Sequence, residues 1–170
     1  MDITRDEHRG RLSYWLFYTQ RCVAYAHAEV MRAHCEERGK PYVITPPQWG
    51  AISLLLEQDG LTIGIMSQMR GIDAPTGTGI ITRLEQNGLV ERRHDREDRR
   101  VVKVYLTEEG RDIANTLAGP VEQFDHSIKR GFSEGELDRL LADLQQIIAN
   151  VSDLGPGLGD RFGLLPKDCG

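Results

Sequence analysis

Two groups of side chains in the middle of the chain have the types and spacing needed to bind duplex DNA. The first group lies on one face of a predicted helix and consists of Thr76, Thr78, Gly79, Thr82 and Arg83. The second lies in the polar run His94 to Arg100 and consists of Arg96, Arg99 and Arg100. Threonine hydroxyls can hydrogen-bond to base edges, while arginines bind phosphates or a narrow minor groove. The pattern therefore predicts contacts with double-stranded DNA.

The local sequence predicts how these groups are positioned. Thr62 can cap a short helix that ends at Gly71, and Asp73 can cap a second helix that ends at Gly88. The second helix has an apolar face, because large apolar residues recur near a period of 3.6: Ile72, Ile80, Ile81 and Leu84. Two predicted strands then flank the Arg-rich run. Two helices, a turn and a hairpin are the order of a winged helix-turn-helix.

This stretch resembles the multiple antibiotic resistance regulator (MarR) family. The family pattern around I-x-x-L-E-x-x-G-x-V is matched, slightly shifted, from Ile81 to Val90, and its D-x-R wing motif is matched by Asp98-Arg99-Arg100. The resemblance extends over roughly residues 10 to 150. It implies a homodimeric transcription factor, usually a repressor, that leaves a pseudo-palindromic operator when a small molecule or an oxidant arrives. Gly77 and Gly79 depart from the family pattern, and we expect them to make the helix less rigid.

The fold class we predict is mainly α with a small β-hairpin wing, an α+β arrangement. Residues 9–44 are predicted to form an N-terminal dimerisation helix and connector, and residues 45–106 the winged helix-turn-helix lobe. Residues 107–151 are predicted to form two C-terminal dimerisation helices, because both have wide apolar stripes. Residues 152–170 are rich in Gly and Pro and are predicted to be a tail.

A small-molecule site is predicted near the aromatic cluster of the first helix. That helix contains five of the eleven aromatic residues of the chain. A cation and phenols on one helical side suit an aromatic carboxylate, which is the candidate effector chemistry. For Trp15 and Trp49, a place in the dimer core is the interpretation we favour. The residues assigned to this ligand site are Trp15, Tyr18, Arg21, Tyr25 and Trp49.

Charge and composition limit the function classes. The net charge is −5, but the stretch 61–106 has eight basic and six acidic residues, so it carries +2 and the remainder −7. This asymmetry allows one lobe to face phosphate. Neither a secretory signal nor a membrane span is predicted, so we expect a cytoplasmic protein without membrane contact. The sequence has no recognisable catalytic or metal motif, so we expect neither an enzyme nor a cofactor.

Two alternative functions remain open. A winged-helix dimer could bind an acidic protein partner through its positive lobe. A thiol sensor could instead use Cys22, although a buried inert thiol is the interpretation we favour for that residue. Asp98 is expected to have a structural role, holding Arg100 or a backbone turn.

Overall fold

The computed structural model describes residues 10–152, which form six helices and three short strands. Cys169 and the predicted tail beyond Ser152 lie outside the described residues. In chain order the elements are α1 (Leu12–Glu37), α2 (Pro46–Glu57), β1 (Leu61–Thr62), α3 (Ile63–Met69), α4 (Ala74–Gln86), β2 (Val90–His94), β3 (Val102–Leu106), α5 (Glu108–Ile128) and α6 (Glu134–Ser152).

Residues at the helix starts explain most of the boundaries. Gln48 Oε1 accepts hydrogen bonds from the backbone N–H and hydroxyl of Thr45, both at 2.9 Å, which closes a capping box before α2. Thr62 caps α3 and Thr107 caps α5 by accepting from the N–H three residues later, at 3.3 and 3.0 Å. The first helix, Leu12–Glu37, lies within residues 9–44, where the sequence predicts a helix and a connector.

The sheet differs from the two-stranded hairpin predicted. It has three antiparallel strands in the order β1-β3-β2, with Leu61 opposite Val104 and Val90 opposite Leu106. β1 contains only two residues and has no alternating pattern to read. Its position depends on β3, which follows about 40 residues later in the chain. Asp59 supports this edge because its Oδ1 accepts from the Leu106 N–H at 3.0 Å.

One apolar core joins the helices to the sheet. The fully buried side chains come from α1, α2, α4, the strands and α5, and they include Met31, Ile52, Leu84, Val104 and Ile113. Within residues 134–151, α6 contributes no buried side chain. The predicted mainly α fold with a β wing is confirmed, and α6 together with the outer face of α1 is left beside this core.

Candidate nucleic-acid interface

The start of α4 is fixed by its cap and by a close helix crossing. Asp73 Oδ1 accepts from the Thr76 N–H at 2.7 Å, and Pro75 lies in the first turn. Gly77 is buried where α4 crosses α3, and a Cβ atom there would lie 2.0 Å from Ser67 Oγ. A glycine at position 77 is therefore required for the close packing of α3 and α4. From the sequence we expected Gly77 only to make the helix less rigid. Gly79 has open space around it.

The exposed face of α4 carries the predicted polar residues. Ile80, Ile81 and Leu84 are buried on the opposite face. Two hydroxyls already have intramolecular partners. Thr78 Oγ1 donates to the Ala74 carbonyl oxygen at 2.9 Å, and Thr82 Oγ1 accepts from Arg92 Nη2 at 2.9 Å. The face is formed by Thr76, Thr78, Gly79 and Arg83, which are exposed, and Thr82, which is half-buried.

Arg92 joins the first wing strand to α4. Besides the bond to Thr82, its Nη1 lies 2.8 Å from Glu85 Oε2, and its Nε atom is buried without a hydrogen-bond partner. Sequence reasoning counted Arg92 only as a positive charge. The sequence could have indicated this contact, because Thr82 and Glu85 are three residues apart and therefore lie on the same side of a helix. The wing and α4 are consequently held together by a charged side chain rather than by apolar packing alone.

The tip of the wing is ordered by two aspartates. Asp95 Oδ1 accepts from the N–H groups of Glu97 and Asp98, at 2.9 and 3.2 Å. Asp95 Oδ2 lies 2.5 Å from Lys103 Nζ, and these bonds lower the pKa of Asp95 to about 2. Asp98 Oδ1 accepts from the Arg100 N–H at 2.9 Å, which confirms the expected structural role of Asp98.

The cationic side chains of the interface are available to an outside partner. Among residues 10–152, no carboxylate lies within ion-pair distance of four of the guanidinium groups that we assigned to DNA. All four side chains are exposed, one on α4 and three at the wing tip. Unpaired exposed arginines suit phosphate binding because they give up no existing ion pair. These residues are Arg83, Arg96, Arg99 and Arg100.

A separate cleft of about 630 Å³ lies between α1, α2 and the start of α4. His27 is on its wall, with its ring stacked on Phe124 at 5.0 Å and its Nε2 atom buried without a partner. Burial lowers the pKa of His27. The Arg70 guanidinium lines the cleft and packs on Gly50, where a Cβ atom would lie only 2.2 Å from Arg70 Nη2. The cleft thus combines a cation, an imidazole and the Trp49 ring.

The cleft does not coincide with the ligand site predicted from the sequence. Of the five predicted, only Trp49 lines it. The other four are exposed side chains of α1 that do not line the cleft: Trp15, Tyr18, Arg21 and Tyr25. The reason is rotational, because the cleft-facing residues of α1 are Gln20, Ala24 and His27, which occupy a different side of that helix.

The remaining sequence predictions concern thiols, metals and membranes. Cys22 is exposed on the single chain, so our expectation of a buried thiol was wrong in this respect. No cluster of three potential metal ligands is found within residues 10–152. Over the same residues, no helix combines the length and the hydropathy required to cross a bilayer.

Comparisons with known proteins agree with this geometry. The MarR family model matches residues 44–102. YsmB, an HTH-type transcriptional regulator of Bacillus subtilis, is 32% identical over 110 residues, which are 65% of this chain and 75% of that protein. The homoprotocatechuate degradative operon repressor of Escherichia coli is 29% identical over 110 residues, 65% of this chain and 74% of the repressor.

Solved structures show the same fold. The transcriptional repressor CouR bound to a 23-mer DNA duplex has a TM-score of 0.72 and 22% identity, and the match covers 86% of this chain and 99% of CouR. CouR from Rhodococcus jostii bound to p-coumaroyl-CoA has a TM-score of 0.67 and 21% identity, covering 82% of this chain and 92% of that chain. The chain therefore belongs to the MarR family of DNA-binding transcription regulators.

Proposed function

We propose that the protein is a homodimeric repressor that binds a pseudo-palindromic operator and leaves it when a small organic acid binds. The observation that carries the DNA-binding part is the set of unpaired guanidinium groups beside the exposed hydroxyl face of α4. In this proposal residues 45–106 bind DNA, while residues 9–44 and 107–151 join the two copies. The similarity to the repressor CouR, whose structure is bound to a 23-mer DNA duplex, supports the DNA-binding part of this proposal.

The proposed contacts divide by chemistry. α4 enters the major groove, where Thr76, Thr78 and Thr82 face base edges or phosphates and Gly79 allows close approach. Arg83 neutralises a phosphate beside the groove. The wing tip reaches the adjacent minor groove with Arg96, Arg99 and Arg100, whose charge suits its negative potential.

The wing arginines provide the decisive test. In a mobility-shift assay on fragments selected from the source genome, Arg96→Ala with Arg100→Ala should weaken operator binding about 10- to 100-fold. The salt dependence of the affinity should also become shallower, by about 0.9 for each phosphate that the variant no longer neutralises. Arg130→Ala removes an exposed arginine outside the lobe and should leave both quantities unchanged. A wild-type protein without sequence preference would contradict the proposal and favour a protein-interaction module.

The effector is proposed to occupy the cleft between α1 and the helix-turn-helix. Arg70 can bind a carboxylate and Trp49 can stack on a ring, while the unpaired His27 Nε2 can hydrogen-bond to the same ligand. The cleft is bordered by Ile72 and Ile80, which precede and lie within α4. An occupant would therefore change the position of α4 relative to α1, and a small rotation suffices to lose an operator. CouR, whose structure is bound to p-coumaroyl-CoA, supports a ligand with an aromatic ring.

Calorimetry can test this site. In a titration with a panel of benzoates and cinnamates, we expect at least one ligand to bind the wild type and to bind Arg70→Gln at least about 10-fold more weakly, because the variant cannot form the charge-assisted bond. Arg21→Gln is the matched control, since Arg21 is exposed on α1 outside the cleft, and it should bind as the wild type does. If Arg21→Gln weakens binding and Arg70→Gln does not, the site predicted from the sequence is favoured over the cleft. If none of these acids gives heat with the wild type, this ligand class is excluded.

A further inference from the structure

The two hydroxyls of α4 that lie one turn apart have opposite hydrogen-bonding states. Thr78 Oγ1 is 2.9 Å from the Ala74 carbonyl oxygen. A carbonyl oxygen can only accept, so the Thr78 hydroxyl must be the donor. Its hydrogen is therefore used within the helix, and only oxygen lone pairs remain for an outside partner. Thr78 is exposed, so these lone pairs face outward.

Thr82 is bonded in the opposite sense. Arg92 Nη2 lies 2.9 Å from Thr82 Oγ1, and a guanidinium group can only donate. The Thr82 oxygen is therefore the acceptor, and its hydrogen remains free for an outside acceptor. The adjacent positive charge also disfavours a second donor at the same oxygen. Glu85 holds Arg92 in place through its own contact at 2.8 Å.

These states matter most when water is excluded from the interface. If the DNA offers no acceptor to a hydroxyl group, that group keeps its hydrogen bond within the protein, because an unpaired polar group is costly in a desolvated site. The major groove offers both complementary groups. Amino groups of cytosine and adenine are donors, while N7 of purines, O6 of guanine and O4 of thymine are acceptors.

We propose that Thr78 and Thr82 read opposite hydrogen-bonding groups in the major groove. Thr78 accepts from a base amino group, and Thr82 donates to a base acceptor atom. Arg92 is a positioning residue that sets the direction of the Thr82 bond without touching DNA. Residues four apart on a helix lie about 5–6 Å from each other, so the two threonines face different base pairs. This inference rests on the proposed DNA-binding function.

Functional-group deletion in both partners tests the assignment. The operator is first selected from a random-sequence library with the wild-type protein. Duplexes are then made in which single purines lack N7, as 7-deaza bases, or carbonyl oxygens are replaced by the weaker acceptor sulfur. A second series lacks single amino groups, with 2-pyrimidinone for cytosine or unsubstituted purine for adenine. Each duplex is titrated with wild type, Thr78→Val and Thr82→Val, which keep the side-chain shape.

The expected result is a pair of separate couplings. Thr82→Val should weaken binding to the intact operator about 3- to 10-fold, and this effect should vanish on one acceptor-deleted duplex. Thr78→Val should also weaken binding to the intact operator, and this effect should vanish on one duplex that lacks a single amino group. Thr116→Val is the matched control, because the Thr116 hydroxyl also donates to a helix carbonyl but lies in α5. Couplings in the exchanged sense, or equal weakening on every duplex, would overturn the proposal.

The role of Arg92 has its own readout. Arg92→Met should reduce the coupling of Thr82 to its acceptor, because the hydroxyl is no longer held as a donor. Glu85→Gln keeps a hydrogen-bonding partner for Arg92 and should preserve the coupling. An unchanged coupling in Arg92→Met would overturn the positioning role. If the library yields no preferred sequence with the wild type, the proposed function itself fails, which distinguishes that outcome from a failure of the threonine assignment.

Discussion

At the scale of single residues, the two interior glycines of α4 illustrate how much surroundings decide. Both would lower helix propensity to a similar extent in an isolated peptide. Gly77, however, faces Ser67, whose Oγ is 2.0 Å and whose Cβ is 3.3 Å from the position of an added Cβ. At Gly79, no atom of residues 10–152 outside the adjacent residues and the local helix backbone lies within 4 Å of the corresponding position. The same substitution should therefore have opposite effects at the two sites.

We expect Gly77→Ala to lower the free energy of unfolding by about 1–2 kcal/mol, because the added methyl group overpacks the crossing of α3 and α4. Gly79→Ala should raise it by about 0.5–1 kcal/mol, because alanine loses less conformational freedom on folding. Urea unfolding of both variants measures the difference. In a Ser67→Ala background, the cost of Gly77→Ala should become smaller. A stabilising Gly77→Ala would show that the helices do not cross as closely as described.

At the scale of secondary-structure elements, the parts predicted well from sequence are those controlled by neighbours in the chain. The caps at Thr62 and Asp73 accept from N–H groups three residues later, as the sequence predicts. The apolar face of α4 follows equally from periodicity, and Ile80, Ile81 and Leu84 are buried. Capping and amphipathicity need only a short window of sequence, so both were accessible without a structure.

The parts missed depend on contacts between distant segments. β1 exists because Leu61 pairs with Val104, and no local pattern marks a two-residue strand. The ligand site predicted on α1 does not coincide with the cleft, because the prediction followed the aromatic residues, whereas the side of α1 that faces α2 and α4 carries Gln20, Ala24 and His27. The rotation of a long helix depends on what packs against it, and periodicity alone leaves this open when several faces are apolar.

The pairing of Arg92 with Thr82 and Glu85 is a contact of the same kind, and it relates two elements rather than two residues. β2 begins at Val90, so Arg92 is only two residues into the strand, while its partners lie in the last two turns of α4. These contacts of Arg92 fix the orientation of the wing relative to α4. Any movement that an effector produces in α4 is therefore expected to carry the wing arginines with it.

At the scale of the whole molecule, residues 10–152 carry apolar side chains on α1 and α6 that no other part of these residues covers. On α6, Leu141 is 58% exposed, and on α1, Phe17 and Tyr25 are 56% and 70% exposed. Large exposed apolar side chains on a long helix are typical of an interface between subunits. A second copy of the chain is the occupant we propose. Such a dimer would place two α4 helices roughly 34 Å apart, one turn of DNA.

The dimer leads to a prediction that links assembly to DNA binding. Leu141→Asp should convert the protein to a monomer in analytical ultracentrifugation, because burying an unpaired carboxylate at the interface is costly. The same variant should lose most of its operator affinity while retaining its helical circular dichroism, since Leu141 is already exposed in the folded chain. Leu56→Asp is the control, because Leu56 is an exposed leucine at the end of α2 and its substitution should leave the dimer intact.

If Leu141→Asp remains dimeric, α6 does not form the interface. If it becomes monomeric but still binds the full operator as tightly as the wild type, the two recognition helices do not act as a pair, because separate copies would forgo the gain from binding both half-sites together.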